Sequence, residues 1–217
     1  MKTDAQIKAD VTRELEWDTS INSSNVGIAV NHGIVTLSGH LDTYAEKYAI
    51  ERAVQRVEGV KAVAIELDVK LAPDHKRSDS EIAQAIETAF KWHVFIPGDR
   101  IRVKVERGWV TLNGEVDWEY QRAATEKNVR PVMGVVGVTN QITLKAQIPP
   151  SDITHRIQEA LKRHAEREAR NVEVSVNGSI VTLRGKVDSW PERMAAQGAT
   201  WSAPGITQVV NELRVEA

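Results

Sequence analysis

The sequence predicts an α+β protein built from three tandem small modules with the element order αββαβ. Three observations predict this class. The tripeptide Val-Thr-Leu occurs three times, the residue types around it recur in register, and each copy lies between helix-like and strand-like apolar patterns. Such self-similarity indicates one structural unit repeated along the chain. The three copies occupy residues 35–37, 110–112 and 181–183.

Proline-containing breaks separate the modules. They lie at residues 73–77 and 148–150, and proline cannot continue a helix or a central strand. We therefore expect modules at residues 1–72, 78–147 and 149–217. Because modules of this size bury little core each, we also expect them to pack on one another.

Composition describes an ordinary globular chain and excludes several kinds of site. Hydrophobic residues make up 41% and charged residues 27% of the 217 residues, and the mean hydropathy is −0.34. The absence of cysteine excludes disulfides, thiol catalysis and thiolate metal sites. The first residues are polar, and no apolar stretch has the length of a signal peptide or a membrane span. As written, the chain is expected to be cytoplasmic or peripheral to the inner membrane.

Each module opens with an amphipathic helix. In module 1, Ile7, Val11 and Leu15 lie at i, i+4 and i+8, which places them on one helix face. Thr3 and Gln6 stand in the positions of a capping box before this stripe. The cap recurs in module 2 as Ser78 and Glu81, and the stripe recurs as Ile82, Ile86, Phe90 and as Ile153, Ile157, Leu161.

A predicted β-hairpin follows each first helix. Apolar residues alternate at Val26, Ile28 and Val30, and a period of two is typical of a strand with one buried face. The turn that follows contains glycine, as in His32-Gly33, and glycine can adopt the positive φ that tight hairpins require. The same alternation occurs at Ile101, Val103, Val105 and at Val172, Val174, Val176.

Recurrent glycines and aspartates predict the limits of the second helix. A glycine should release the chain after the second strand, and an aspartate should then cap the helix, because its carboxylate accepts free N–H groups near the positive end of the helix dipole. Another glycine should stop the helix before the last strand. These residues are Gly39, Gly114 and Gly185; Asp42, Asp117 and Asp188; and Gly59, Gly134 and Gly205. A right-handed crossover to a parallel last strand would then give a three-stranded mixed sheet with both helices on one face.

The whole pattern resembles the BON domain, a family named after bacterial osmotically inducible and nodulation proteins. The strand ending in Val-Thr-Leu-x-Gly, the Asp-capped helix and the closing Gly-Val or Gly-Ile strand carry this resemblance in three copies over nearly the whole chain. The resemblance implies a non-enzymatic envelope or stress protein, with phospholipid attachment, chaperoning, association with solute transport or, in one branch, potassium binding. Periplasmic relatives carry a signal peptide and the potassium-binding branch a LysM module, and neither is found in this sequence.

The sequence offers little support for catalysis or metal binding. None of the histidines stands at HxxxH or HExxH spacing, and the recurrent aspartates are better explained as helix caps. The recurrent glycines lack the Lys-Ser/Thr of a phosphate-binding loop. We therefore expect no enzyme, no cofactor and no metal. The histidines are His32, His40, His75, His93, His155 and His164.

Binding candidates come from the face of module 2 opposite its core. Arg102, Lys104 and Trp109 alternate with core valines, so they should project together from the outer face of the sheet. A tryptophan between cations can meet a lipid headgroup, stack on a base or pack against a neighbouring module. Packing within the protein or between copies is the first interpretation, and lipid or ligand contact is the second.

Two further sets of repeated residues are candidates. Trp17 and Trp92 follow the last apolar positions of the first helices, and core packing is favoured over surface attachment. Lys47, Arg122 and Arg193 recur in the second helices, where a solvated face is the first interpretation. The alternative is that these cations act together on an anionic surface, because linked weak contacts become effectively intramolecular.

The charge distribution argues against nucleic acid as a partner. The net charges of residues 1–72, 73–148 and 149–217 are −3, +1 and 0, and nucleic-acid binding normally requires a concentrated basic surface. We expect a binding protein that attaches to anionic lipid or assists envelope and transport proteins. Potassium or small-solute binding, and a self-assembling or chaperone-like scaffold, are the alternatives.

Overall fold

The computed structural model describes residues 2–146, 151–164 and 172–216, and it confirms three αββαβ modules. The predicted break at residues 148–150 lies outside the described residues. Module 1 contains α1 (Asp4–Trp17), β1 (Val26–Asn31), β2 (Ile34–Leu41), α2 (Tyr44–Arg56) and β3 (Ala62–Val69). Module 2 contains α3 (Asp79–Lys91), β4 (Ile101–Glu106), β5 (Trp109–Val116), α4 (Glu119–Val129) and β6 (Gly137–Leu144). Module 3 contains α5 (Ile153–His164), β7 (Val172–Asn177), β8 (Ile180–Val187), α6 (Trp190–Trp201) and β9 (Gln208–Val215).

Each module has its own mixed sheet, with the Val-Thr-Leu strand at its centre. β2 pairs antiparallel with β1 and parallel with β3, and modules 2 and 3 repeat this order. In module 1, Val35 and Leu37 of β2 are buried together with Ile7, Val11 and Leu15 of α1. The helices thus cover one face of the sheet, as predicted. None of the described helices has the length and apolar character needed to cross a membrane.

The first helices begin where the sequence predicts. The Thr3 hydroxyl accepts from the backbone N–H of Gln6, whose side chain accepts from the N–H of Thr3. Ser78 and Glu81 form the same capping box at α3. Each box satisfies backbone donors that a helix cannot satisfy internally, which fixes the first residue of the helix.

The prediction that Asp42, Asp117 and Asp188 cap the second helices is wrong by one residue. Thr43 and Ser189 cap α2 and α6 with their hydroxyl groups. At α4 the Gln121 side chain instead accepts from the backbone N–H groups of Asp117 and Trp118. A threonine or serine hydroxyl caps as well as a carboxylate, so the position of the aspartate alone does not identify the cap.

The glycines near the ends of the central strands have a different role from the one predicted. β2, β5 and β8 continue for two residues beyond them, so these glycines do not release the chain. Gly39, Gly114 and Gly185 have φ values of +123°, +150° and +128°. A Cβ atom at Gly39 would lie 2.0 Å from the carbonyl oxygen of Asn25. Glycine is therefore required because the backbone just before β1 approaches too closely for a side chain.

The second set of glycines does not stop the helices either. α2, α4 and α6 end at Arg56, Val129 and Trp201, three to five residues before Gly59, Gly134 and Gly205. These glycines have φ values of +91°, +94° and +83° in the turn that enters the last strand. A Cβ atom at Gly134 would lie 2.8 Å from Ile82 Cδ1, so the first helix packs closely against this turn.

The second helices connect the three modules. The Arg130 guanidinium lies 3.5 Å from the ring centroid of Tyr48, which joins modules 1 and 2. Arg122 lies 4.9 Å from the ring centroid of Trp201, which joins modules 2 and 3. Contacts between α2 and α6 join modules 1 and 3. Each module therefore contacts both others through its second helix, in agreement with the expectation that small modules support one another.

Candidate functional site

Four large apolar side chains are exposed near one another at one end of module 2. Trp92, Val94, Phe95 and Tyr120 are 88%, 89%, 55% and 53% exposed, and we call these four residues the apolar tip. The rings of Phe95 and Tyr120 meet edge to face, with centroids 5.8 Å apart. Large apolar side chains exposed next to one another are typical of interaction sites.

Local folding holds the apolar tip in place. α3 ends at Lys91, and the chain turns through residues 92–97 before a short 3₁₀ turn leads into β4. Ile96 is buried in the module 2 core and anchors the loop, while Val94 and Phe95 face outward. Arg100 Nη1 donates to Asp117 Oδ2 at 2.7 Å, which ties the loop to the end of β5. The loop is thus anchored by buried Ile96 and by the Arg100–Asp117 ion pair.

Module 1 carries the same loop with polar residues. Aligned on the Val-Thr-Leu repeats, Asp18, Thr19 and Ser20 correspond to His93, Val94 and Phe95, and Ala45 corresponds to Tyr120. At three positions of the shared fold, module 2 therefore has large apolar residues where module 1 has polar or small ones. Reasoning from the sequence missed Val94, Phe95 and Tyr120, although this in-register comparison contained the signal.

The structure places Arg102, Lys104 and Trp109 on the outer sheet face, as predicted. Lys104 Nζ pairs with Glu106 Oε2 at 2.9 Å, so its charge is partly compensated. Trp109 is half-exposed; its Nε1 donates to Thr139 Oγ1 at 2.8 Å, and its ring covers Gly137, where a Cβ atom would lie 2.5 Å from it. The indole packs on its own module, while Arg102 stays exposed.

The expectation that Trp17 and Trp92 pack in the core is wrong. Trp17 is 86% exposed, and Trp92 belongs to the apolar tip. The helix stripe of module 1 already ends at Leu15, which is buried, so a residue two positions further on points away from the core. The two tryptophans are not equivalent, because the residues that follow Trp17 are polar.

Lys47, Arg122 and Arg193 do not form a solvated face. Lys47 Nζ donates to the carbonyl oxygen of Leu67 at 2.7 Å, and Arg193 Nη2 donates to that of Asn211 at 2.9 Å. Both side chains thereby tie the second helix to the last strand of their module. Arg122 stacks on Trp201, so this set is occupied by contacts within the protein.

Glu119, at the start of α4, combines burial with an ion pair. Arg122 Nε lies 2.6 Å from Glu119 Oε2, but its N–H is not directed at that oxygen, so the contact is an ion pair without an aligned hydrogen bond. Burial raises the pKa of Glu119, while the Arg122 charge opposes that shift. Across the described ranges, no three histidine or acidic side chains come together in a way that could hold a metal ion.

Comparisons with known proteins give a family and two relatives. The family model described as BON domain matches residues 3–70, 78–146 and 150–217. The chain is 27% identical over 146 residues to osmotically-inducible protein Y of Escherichia coli K12, covering 65% of this chain and 73% of that protein. It is 28% identical over 123 residues to an uncharacterized protein in the gshII 5′ region of Anaplasma centrale, covering 54% of this chain and 82% of that protein.

Among solved structures, the chain shows a distant likeness to a secretion-system protein. CdsD, a structural protein of the type III secretion system of Chlamydia trachomatis, matches over 97% of this chain and 92% of its own. The identity is 17% and the TM-score is 0.26. This likeness carries no functional argument.

Proposed function

The chain belongs to the BON domain family, and we propose that it is a non-catalytic, stress-related protein that attaches to anionic phospholipid surfaces through the apolar tip of module 2. Its similarity to an osmotically inducible protein supports the relation to stress. Envelope or transport proteins are the alternative partners of the same surface.

The observation that carries this proposal is the exposure of four large apolar side chains at one end of a single module. Burying apolar surface is favourable by roughly 25 cal/mol per Å², so the exposed tip would gain free energy on entering a bilayer interface. Aromatic side chains such as Trp92 and Tyr120 prefer the interface between lipid headgroups and hydrocarbon. The polar loop of module 1 lacks this driving force.

Two exposed cations lie near the ends of the loop. Lys91 is the last residue of α3, and Arg102 is the second residue of β4. Each cation close to an anionic membrane contributes about 1 kcal/mol, and salt screens this contribution. Because residues 73–148 carry a net charge of only +1, we expect weak, salt-dependent attachment in which the apolar tip provides most of the affinity.

Vesicle co-sedimentation tests the proposal. Vesicles containing phosphatidylglycerol are compared with pure phosphatidylcholine at low and high salt. The double variant Val94→Thr, Phe95→Ser gives module 2 the residues of module 1, and we expect it to lose most binding with an unchanged fold. The triple variant Arg102→Gln, Lys104→Gln, Trp109→Ala should remove mainly the salt-sensitive part.

The reciprocal exchange is the matched control. Thr19→Val, Ser20→Phe places the apolar residues on module 1 and should increase vesicle binding. Lipid attachment is wrong if the wild-type protein does not bind anionic vesicles at low salt, or if Val94→Thr, Phe95→Ser binds like the wild type. A change in oligomeric state without a change in vesicle binding would favour the scaffold alternative.

Potassium or small-solute binding stays a prediction from the family resemblance. Calorimetric titration with potassium, compared with sodium, tests it directly. A saturable heat specific for potassium would support it, and potassium would then also raise the melting temperature, because a ligand of the native state opposes unfolding.

A further inference from the structure

One edge of the module 1 sheet is formed by β1, which pairs with β2 on one side only. The hairpin turn determines which backbone groups face the open side. Asn31 and Ile34 flank a two-residue turn and form a hydrogen-bonded pair, so every second residue of β1, counted back from Asn31, also bonds to β2. The backbone groups of Val26, Ile28 and Val30 therefore point away from the sheet.

Most of these outward backbone groups are unpaired. Within the described residues, the N–H groups of Ile28 and Val30 donate to no other element, and the carbonyl groups of Val26 and Ile28 accept from none. The N–H of Val26 already donates to the carbonyl oxygen of Ser23. Unpaired donors and acceptors along a strand are a template for pairing with another strand.

The helix layer leaves this edge open. The side chains of Val26, Ile28 and Val30 point toward α1 but are only partly buried, whereas Val35 and Leu37 of the central strand are fully buried. A further strand beside β1 would therefore cover apolar surface on the helix side. On the outer face, β1 presents a glycine and an alanine, which are exposed and too small to obstruct a neighbour.

The equivalent edge of module 2 is protected, whereas this one is not. β1 contains no charged residue and no proline, the residue types that usually protect an edge strand. In β4, Arg102 and Lys104 occupy the positions of Gly27 and Ala29. The same topology thus carries two cations at one edge and two small residues at the other.

We propose that β1 is a self-association surface, at which a second copy of the chain adds its own β1 in antiparallel orientation. A two-fold axis at Ile28 places Ile28 opposite its copy and Val26 opposite Val30. The N–H groups of Ile28 and Val30 then meet the carbonyl groups of Ile28 and Val26, so each available donor finds an acceptor.

This self-complementarity favours a second copy as the occupant and depends on the small residues of the outer face. The two-fold axis brings Gly27 opposite Ala29, which raises no barrier. In the same register, β4 would bring Arg102 opposite Lys104, and like charges directly opposite one another destabilise a strand pair. Module 1 can therefore associate in this way where module 2 cannot.

Sedimentation velocity of the full chain, from micromolar to near-millimolar concentration, tests the proposal. The wild type should change from monomer to dimer. Gly27→Arg, Ala29→Lys, here called the β1 variant, gives β1 the cations of β4 and should remain monomeric at every concentration. An added Cβ atom at position 27 would lie 2.9 Å from the hydroxyl oxygen of Ser38, a side-chain atom that can rotate away.

A matched control changes the net charge by the same amount elsewhere. Glu66→Gln, Asp68→Asn, here called the β3 variant, alters two exposed residues of the other edge strand. It should associate like the wild type, because β3 lies away from the proposed contact. Val94→Thr, Phe95→Ser should also associate like the wild type, because β1 shares no residue with the apolar tip.

Amide hydrogen exchange locates the contact without any substitution. In the wild type, the N–H groups of Ile28 and Val30 should exchange more slowly as concentration rises, because association gives them acceptors. The equivalent N–H groups of Val103 and Val105 in β4 should exchange at the same rate at every concentration. If the β1 variant does not fold, this comparison decides alone.

Each contrary result overturns the proposal. These results are a monomer over the whole concentration range, association that persists in the β1 variant, or exchange at Ile28 and Val30 that does not depend on concentration. Equal loss in the β3 variant would reveal a general effect of charge, and loss in the variant of the apolar tip would move the contact to that tip. Both outcomes also overturn the assignment to β1.

Discussion

Asp4 and Asp79 occupy the same repeat position, and each carboxylate accepts both backbone N–H groups of the hairpin turn in its module. Asp4 accepts from His32 and Gly33 at 2.8 and 2.9 Å. Asp79 accepts from Arg107 and Gly108, both at 2.8 Å. The first residue of the first helix thus fixes the hairpin turn, where His32 and Arg107 adopt positive φ values of 52° and 53°.

Removing one of these carboxylates should destabilise its module. Asp79→Ala leaves two turn donors without their acceptor, and we expect a loss of roughly 1–2 kcal/mol in the free energy of unfolding. Chemical denaturation measures the loss. Asp74→Ala is the control, since Asp74 lies in the exposed linker and should change stability little. Equal effects of the two variants would contradict the role of Asp79 as the acceptor that fixes the hairpin turn.

The acceptor role of Asp4 in the hairpin turn of module 1 also predicts that stability depends on pH. Hydrogen bonds from Gly33 and His32 lower the pKa of Asp4 below its ordinary value. The stabilisation is therefore present above the pKa of the unfolded chain and is lost as pH falls through the lower, folded pKa. Thermal melts of the wild type and Asp4→Asn over the acid range should converge as pH decreases. Parallel curves would show that Asp4 does not titrate with folding.

Glu119 should behave in the opposite way. Burial raises its pKa, so between the unfolded and folded pKa values the folded state binds more protons, and stability falls as pH rises. Glu119→Gln should raise the melting temperature most at neutral pH, and the gain should shrink as pH falls through the folded pKa. The exposed Glu115→Gln is the control. A gain that does not depend on pH would contradict this account.

Glycine should be required at position 39 but not in α6. Gly39→Val needs an unfavourable φ and places Cβ against the Asn25 carbonyl oxygen, so we expect a loss of more than about 2 kcal/mol. Gly198 lies in α6 with no atom within 4 Å of an added Cβ, and Gly198→Ala should stabilise by up to about 1 kcal/mol. Opposite changes in denaturation midpoint are expected, and a stable Gly39→Val protein would refute the requirement.

Trp201 should be needed for the contact between modules 2 and 3. Its ring packs against the cores of both modules and under Arg122. Trp201→Ala should cost about 2–4 kcal/mol and separate the unfolding of module 3 from that of module 2, as seen by calorimetry. Trp17→Ala, at an exposed position, should stay within roughly 0.5 kcal/mol of the wild type. A single unchanged transition in Trp201→Ala would argue against coupling.

Periodicity predicted the fold because its signals are local. The stripe Ile7, Val11, Leu15 and the alternation Val26, Ile28, Val30 depend only on helix and strand geometry, and the burial agrees with both. Caps were harder to predict. Asp42 and Thr43 are adjacent and both able to cap, and the choice depends on backbone geometry that the sequence does not display.

The candidate sites depended on contacts that the sequence does not display. The alternation along the strand correctly predicted that Arg102, Lys104 and Trp109 lie on the outer sheet face. It did not predict that Lys104 pairs with Glu106 or that Trp109 donates to Thr139. The contacts between modules could not be predicted, because periodicity within a module says nothing about which surfaces of two modules meet. The apolar tip could have been predicted from the sequence, by comparing the positions at which the repeats differ as well as those at which they agree.

The stacked arginines have a consequence for assembly specificity. The contact between modules 1 and 2 uses Arg130 on Tyr48, whereas the contact between modules 2 and 3 uses Arg122 on Trp201, so the cation comes from opposite sides of the two interfaces. Modules that share one fold on a single chain risk docking in the wrong order. The residues equivalent to Tyr48 are Ala123 and Met194, and those equivalent to Arg130 are Gln55 and Trp201, so only the native pairing of modules 1 and 2 places an arginine on a tyrosine. Divergence at these few positions therefore favours the native pairing while leaving the shared fold intact.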